Sequence, residues 1–516
     1  LISGITIALY VILAYLLAVT VLWKSGAGKR HGISFIGPLL MLRTERGKNL
    51  LKSVSRLRRF WIYYATFSRY LFIAGMIAMV ALLLWEATLV LHIPRSSAPS
   101  LQTYLLLPGI NPFVPLGYGI LGIVIAVVFH ELCHGVLSEA QDIDVESMGV
   151  LMLVVPVGAF VEPNQKQLES VSPIRRIRVY GVGPATNIFI ALLFLLLFLG
   201  PFMGGVHAPG KGVTVTYLYS DRTAPHLTVW SQLLSINGTA LNSPAQLNGI
   251  DGLVPGRNYS AVYMENGRTV YGSVEAGVEI VGTVPGSPAQ LSGIKDGWIM
   301  KSMNGTLIYN IDTLLSVFNS THPGENVPYV FITVSGAEVQ RNITLEAAPG
   351  SSSARAGIGF LGIYFDYMGI YVDSTGLIVN KLKHPFYGAT TPSSYLYAGL
   401  RFLVLPFEGL SPIPVPLENN LIVSSPGGGS SLFWISANSM YWVFWINLWV
   451  GLFNMLPIIP FDGGYLFKDN LSLLLSRTMK RAGKESRERA VTGISMFFSF
   501  LILVLILWQV IGPRLF

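Results

Sequence analysis

The most restrictive feature of this 516-residue sequence is an apolar run over residues 116–138 that ends on His130-Glu131-Leu132-Cys133-His134. A run of that length is long enough to cross a bilayer as a helix. Two histidines and a glutamate inside it are costly unless they pair or line a wet cavity. On a helix, residues i and i+4 share a face, so His130 and His134 can offer two imidazoles to one metal ion. Glu131 follows the first of them, where its carboxylate can take a proton from water held at the metal. Cys133 is the only cysteine. Helical spacing offsets it from the histidine face, so it reads as a packing residue.

A hydrolytic zinc commonly has three protein ligands and one open position. The chain must therefore supply a third ligand from elsewhere, and the best candidate is Asp462. It lies in Asn454-Met455-Leu456-Pro457-Ile458-Ile459-Pro460-Phe461-Asp462-Gly463-Gly464, at the end of another long apolar run. Backbone broken by Pro and Gly at membrane depth is tolerated only where it is buried in protein or lines a cavity.

These motifs resemble the site-2 protease family of intramembrane zinc metalloproteases. That family pairs H-E-x-x-H with a later N-x-x-P-x-x-x-x-D-G, matched here by Asn454, Pro457, Asp462 and Gly463. Phe461 stands where the family usually has leucine. Gly183, Pro184 and Asn187 match its G-P-x-x-N stretch. The resemblance implies one zinc ion per chain, bound by His130, His134 and Asp462, with Glu131 activating water. It also implies that Asn454 helps hold an unwound substrate.

Composition agrees with a membrane protein. Hydrophobic residues make up 52% of the chain and charged residues 12%, and mean hydropathy is +0.54. The formal charge of +8 comes from basic residues clustered beside apolar runs, as the positive-inside rule expects. That placement excludes nucleic acid as a partner and favours the lipid bilayer. A single cysteine rules out an internal disulfide framework, and it favours a prokaryotic plasma membrane.

The expected fold is a multi-pass α-helical membrane protein with about six transmembrane helices and inserted extracytoplasmic mixed α/β PDZ-like domains. Residues 1–70 comprise a first span, 5–23, read as an anchor, and a basic cytoplasmic segment with an amphipathic piece over 50–64. Residues 71–204 hold spans at 71–93, 116–138 and 179–203. Between the last two, residues 147–163 are too short and too Pro/Gly-rich for a span, and their β-branched content predicts strands. This element either offers an edge to an extended substrate, with Gly158 and Phe160 as substrate-binding residues, or plugs the bundle. Asn187 either joins helices or faces the cavity.

Residues 205–276 and 277–349 read as tandem PDZ-like domains. The second resembles the protease-associated type through Ser287-Pro288-Ala289 and Asn304-Gly305; the first, with Ala224-Pro225-His226 and Asn237-Gly238, is a degenerate copy. They bind peptide or protein clients by strand addition or filter substrates by size. Residues 350–431 form an extracytoplasmic linker with aromatic strands around Ile358–Val372 and an interfacial or re-entrant piece at 395–407. Residues 432–516 carry spans at 432–456 and 490–511. The active site is expected toward the cytoplasmic side and the PDZ-like domains outside. The substrates are expected to be transmembrane segments of other proteins, cut in regulated signalling. The alternative is a non-catalytic metal-binding or transport protein that recruits clients through its PDZ-like domains; it has no use for a glutamate beside the first histidine.

Overall fold

The computed structural model describes residues 4–25, 33–37, 39–90, 99–153, 155–219, 222, 224, 227–347, 357–424 and 430–515. Lys29, Arg30, Arg95, Pro225, His226 and most of the Ser/Gly-rich stretch 424–431 lie outside the described residues. The chain divides into two compact units, residues 1–198 with 438–516, and residues 199–437.

The first unit is helical. It contains α1 (Gly4–Ser25), α2 (Lys48–Ser55), α3 (Arg58–Leu89), α4 (Leu116–Ala140), α5 (Pro173–Leu197), α6 (Ser431–Asn454, which leads in from the second unit), α7 (Asp462–Thr478) and α8 (Lys484–Leu515). Among the described residues, four helices are long and apolar enough to cross a membrane: α3, α4, α5 with its continuation to Gly205, and α8. In hydrocarbon every backbone N–H and C=O must be satisfied within the segment, which favours uninterrupted helix wherever the sequence is apolar. Helix α3 begins earlier than the expected span at residue 71. The piece expected to lie on the membrane over 50–64 is split between α2 and the start of α3. Leu51 of α2 is buried against Val136, Val145 and Val161, so protein covers it. Helix α6 is less apolar because it carries Asn438 and Asn447, both buried along with Tyr441, Trp442 and Trp445.

The strands expected over 147–163 are present as β3 (Val145–Leu153) and β4 (Val155–Pro163). The basic N-terminal segment adds two more, β1 (Ile33–Ile36) and β2 (Leu39–Thr44), in the order β1-β2-β3-β4. Strand β2 pairs with β3 from Leu40↔Met152 to Thr44↔Met148. Only β4 therefore offers a free edge on the side of the hairpin away from β2.

The second unit contains two copies of one topology. The first sheet runs β8-β7-β6-β5-β14, with β5 Val213–Leu218, β6 Gln232–Ile236, β7 Asn258–Glu265, β8 Arg268–Glu275 and β14 Ile370–Ser374. The second runs β12-β11-β10-β9-β13, with β9 Val278–Thr283, β10 Ile299–Met303, β11 Asn326–Ile332, β12 Glu338–Thr344 and β13 Ile363–Tyr367. The duplication extends to individual hydrogen bonds. Asn237 N–H donates to Ser260 O and Asn304 N–H to Pro328 O, each at 2.8 Å. Strands β6 and β10 carry the same bulge, between Leu233 and Ser235 and between Met300 and Ser302. Both Asn-Gly pairs have positive φ at both residues, the geometry that matches the twist of a two-residue hairpin.

Strands β13 and β14 fall within 350–431, the segment read from sequence as a linker with aromatic strands around Ile358–Val372. They are consecutive, joined through Met368-Gly369, and each completes a different sheet. Leu233, Tyr263, Val278, Met300, Tyr329, Tyr367 and Ile370 then share one hydrophobic core. The piece over 395–407 belongs to a helix, Pro392–Leu403. At about 1.5 Å per residue its 12 residues are too short to span.

Asp366 on β13 gives this unit a pH dependence. Burial pushes its pKa up to about 6, opposed by a hydrogen bond with Tyr219. Below about pH 4 the group is protonated in both folded and unfolded chain. As pH rises toward 6 the unfolded chain ionises first, so the folded state loses stability through that window. Asp366→Asn is therefore expected to raise the unfolding temperature at pH 7 and leave it unchanged at pH 4, measured on the purified chain in detergent. Equal shifts at both pH values would contradict this.

Candidate metal centre

Helix α4 presents His130 and His134 on one face, and their rings meet edge to face with centroids 4.8 Å apart. Asp462 is the first residue of α7. Its Oδ2 lies 3.0 Å from His130 Nε2 and 3.3 Å from His134 Nε2. Around a tetrahedral zinc with bonds of about 2.05 Å, neighbouring donor atoms are about 3.3 Å apart. Both histidines stand at about this spacing from Asp462, and the three ligand atoms lie within 4.8 Å of one another, so the set could hold a metal ion. Cys133 packs elsewhere, with Ala65, Leu137 and Val182.

The turn before α7 delivers the aspartate. Phe461 N–H donates to Ile458 O and Gly464 N–H to Phe461 O. A Cβ on Gly463 would sit 2.0 Å from Leu456 O, so the D-G-G sequence reflects a backbone folded onto itself. Helix α7 is then fastened to α5. Arg176 makes a two-pronged contact with Asp469, Nε to Oδ2 at 2.9 Å and Nη2 to Oδ1 at 2.7 Å. The third Arg176 nitrogen, Nη1, donates to Val171 O at 2.9 Å.

The G-P-x-x-N stretch on α5 serves the same centre. A Cβ on Gly183 would lie 2.4 Å from His134 Nε2 and 2.8 Å from His130 Nε2. Only glycine leaves room for both rings. His134 Nδ1 meets Val179 O at 2.7 Å, which fixes the proton on Nδ1 and leaves Nε2 a lone pair. Asn187, fully buried, meets His130 Nδ1 at 3.2 Å. With its amide nitrogen toward the ring, Asn187 Oδ1 is left buried without a donor. The two ends of an amide have the same shape. Reversed, Oδ1 accepts the Nδ1–H of His130, and Nε2 is freed to face Asp462.

Glu131 does not join the three-residue cluster. Its Oε2 accepts a hydrogen bond from Val161 N–H at 3.0 Å. It lines the same cavity of about 400 Å3 as His130, His134, Asn454 and Asp462. Asn454 donates from Nδ2 to Val450 O at 3.0 Å. Gly158 and Phe160 do not line this cavity, whereas Val161 and Pro163 of the same strand do. The reason is the two-residue period of a strand. Val161 turns its N–H outward to Glu131, so Ala159 also faces the free edge while Gly158 and Phe160 turn their backbone to β3. Sequence reasoning missed Tyr180 and Tyr465, whose rings stack 5.3 Å apart in the cavity wall. It also missed the Arg176–Asp469 pair. The available signal was an acid and an arginine beside apolar runs, each in want of a partner.

Two substitutions test this construction. Asn187→Leu is expected to lower zinc affinity about 10–100-fold with the fold retained, measured by competition with a chromophoric chelator. Asp469→Ala removes the carboxylate partner of Arg176, which keeps its contact with Val171 O, and is expected to cost about 1.5–3 kcal/mol in a denaturation experiment. Unchanged zinc affinity in Asn187→Leu would reduce Asn187 to a packing residue.

Comparison with known proteins adds an independent finding. Residues 118–502 match the family model described as peptidase family M50. An uncharacterised protein of Methanocaldococcus jannaschii is 37% identical over 82 residues, 16% of this chain and 21% of that protein. The membrane-bound transcription factor site-2 protease homolog of Arabidopsis thaliana is 26% identical over 134 residues, 25% of this chain and 26% of that protein. The matches thus span about a quarter or less of either relative.

Proposed function

Because the chain belongs to peptidase family M50, the site-2 protease family, we propose that it is an intramembrane zinc endopeptidase that cuts transmembrane segments of other membrane proteins. The observation that carries this reading is the convergence of His130, His134 and Asp462 around one point, with Glu131 on the same cavity.

Zinc held by His130, His134 and Asp462 would supply Lewis acidity, making water nucleophilic near neutral pH and polarising the scissile carbonyl. Glu131 accepts the proton from that water and passes it to the leaving amine nitrogen. The Val161 N–H holds the Glu131 carboxylate in the cavity until then. A helical peptide bond is shielded by its own hydrogen bonds, so the substrate must be extended before attack. The outer edge of β4, through Ala159 and the Val161 carbonyl, is suited to pair with such a strand. Asn454, Tyr180 and Tyr465 line the cavity beside it and orient the chain. A transport role uses the same ligands but leaves Glu131 without a task.

In this reading α1 and α6 are the fifth and sixth spans. At about 1.5 Å per residue, their 22 and 24 residues reach the thickness of the hydrocarbon core. The metal centre faces the cytoplasm. What supports this is the clustering of basic helix ends on its side. Arg58 at the start of α3 pairs with Asp142 just beyond α4, and Arg176 at the start of α5 pairs with Asp469. The duplicated domains are PDZ-like and lie outside, where they bind clients or exclude bulky ones. Cleavage releases a fragment inward, which suits regulated signalling.

Glu131→Gln is expected to keep its zinc and lose about 10²–10⁴-fold in cleavage of a reporter whose transmembrane helix is weakened by Gly and Pro. Asp462→Ala is expected to lose zinc as well. Cleavage indifferent to Glu131, or purified wild type that never takes up zinc, would remove the protease reading.

A further inference from the structure

The second unit contains a cavity of about 560 Å3 built from one continuous stretch, strand β14, the helix Thr375–Lys383, the turn after it and the helix Pro392–Leu403. The size is in the range that holds small ligands, roughly 300–1,000 Å3. Its floor is apolar, with Leu377, Phe402 and Leu405. Its polar wall carries Lys381, His384 and Arg401 together with Asp373. Lys381 Nζ is 3.3 Å from Asp373. Arg401 lies 3.4 Å from Glu408 through Nε, yet that buried Nε makes no hydrogen bond. Ser394 and Tyr397 add hydroxyl groups.

The surroundings narrow the occupant. Phe386, Tyr387, Tyr395, Leu396, Tyr397 and Val404 are each 42–67% exposed and fall within twenty residues of one another. A surface bathed only in water seldom concentrates large apolar side chains in this way. Tyrosines and aliphatics beside lysine and arginine are the composition of a membrane interface, where rings and chains enter the acyl region and cations meet phosphates.

We propose that this cavity binds the phosphate-bearing head of an anionic lipid, with Lys381 and Arg401 on the phosphate and the aromatic collar on the acyl chains. The site is chemically separate from the metal centre, so the proposal does not depend on proteolysis. A free phosphate shares the head chemistry, and the test distinguishes the two sources.

The purified 516-residue chain in zwitterionic detergent is titrated with short-chain phosphatidylglycerol, short-chain phosphatidylcholine and inorganic phosphate, with binding counted by native mass spectrometry. Phosphatidylglycerol is expected to bind at least about tenfold more tightly than either of the others. The pair Lys381→Gln and Arg401→Gln is expected to remove that preference, while Arg401→Lys keeps most of it. Leu396→Ser with Tyr397→Ser spares the cations and is expected to weaken the lipid about tenfold without changing the response to inorganic phosphate. Equal binding of the two lipids, or no effect of the paired glutamines, would overturn the proposal. So would inorganic phosphate binding as tightly as the lipid, which would make this a soluble-anion site. Displacement of the lipid by an equimolar acidic peptide would overturn it in favour of a protein client.

Discussion

Two imidazoles and a carboxylate converge among apolar helices, and the architecture around them follows from the cost of burying them. Each of His130, His134 and Asp462 needs a partner or a metal, because hydrocarbon offers neither water nor counter-ions. The answer is a set of nested contacts. Asp462 stands against both Nε2 atoms, Val179 O and Asn187 hold the Nδ1 atoms, and Gly183 makes room for the rings. Helix α5 thus adds no member to this cluster yet fixes the orientation of both imidazoles. The Arg176–Asp469 pair extends the same logic outward by tying the helix that bears Asp462 to α5.

Glu131 is kept apart from that cluster by a strand. Its carboxylate is held by Val161 N–H on the free edge of β4. The group assigned to move a proton and the edge suited to receive an extended peptide are therefore one piece of structure. The sheet behind that edge is not a lone hairpin. It is backed by β2 from the basic N-terminal segment, whose sequence signals charge and surface rather than strand. Residues more than a hundred positions upstream thereby stiffen the wall of the cavity.

The second unit shows how duplication can yield a joint core. The two copies repeat each other in strand order, bulge position and turn geometry, but neither copy closes its own sheet. Strands β13 and β14 supply the missing fifth strand to each, and one hydrophobic core runs through both copies. Arg222 adds a polar tie, donating to Gly297 O at 2.6 Å and pairing with Glu275 at 3.1 Å. Separating the copies would take β14 from the first sheet and leave the edge of β5 unpaired, a state folded proteins avoid.

The sequence by itself determined a good deal. Apolar runs set the helices, since only a helix satisfies its own backbone in lipid. The spacing of His130 and His134 put both on one face. The repeated Asn-Gly turns announced the duplication, because few residues tolerate the positive φ those hairpins need. Tertiary structure decided the rest, for reasons of distance and register. Nothing in the local pattern of residues 33–44 says which strand they pair with. Which residues of 155–163 face the site depends on register, and a shift of one exchanges Gly158 and Phe160 for Ala159 and Val161. The aromatic pattern around 358–372 reads as strand in the sequence, but that its two strands complete different sheets, on β9 and β5, is a matter of tertiary pairing. Arg176 and Asp469 are 293 residues apart, and only packing could make them a pair.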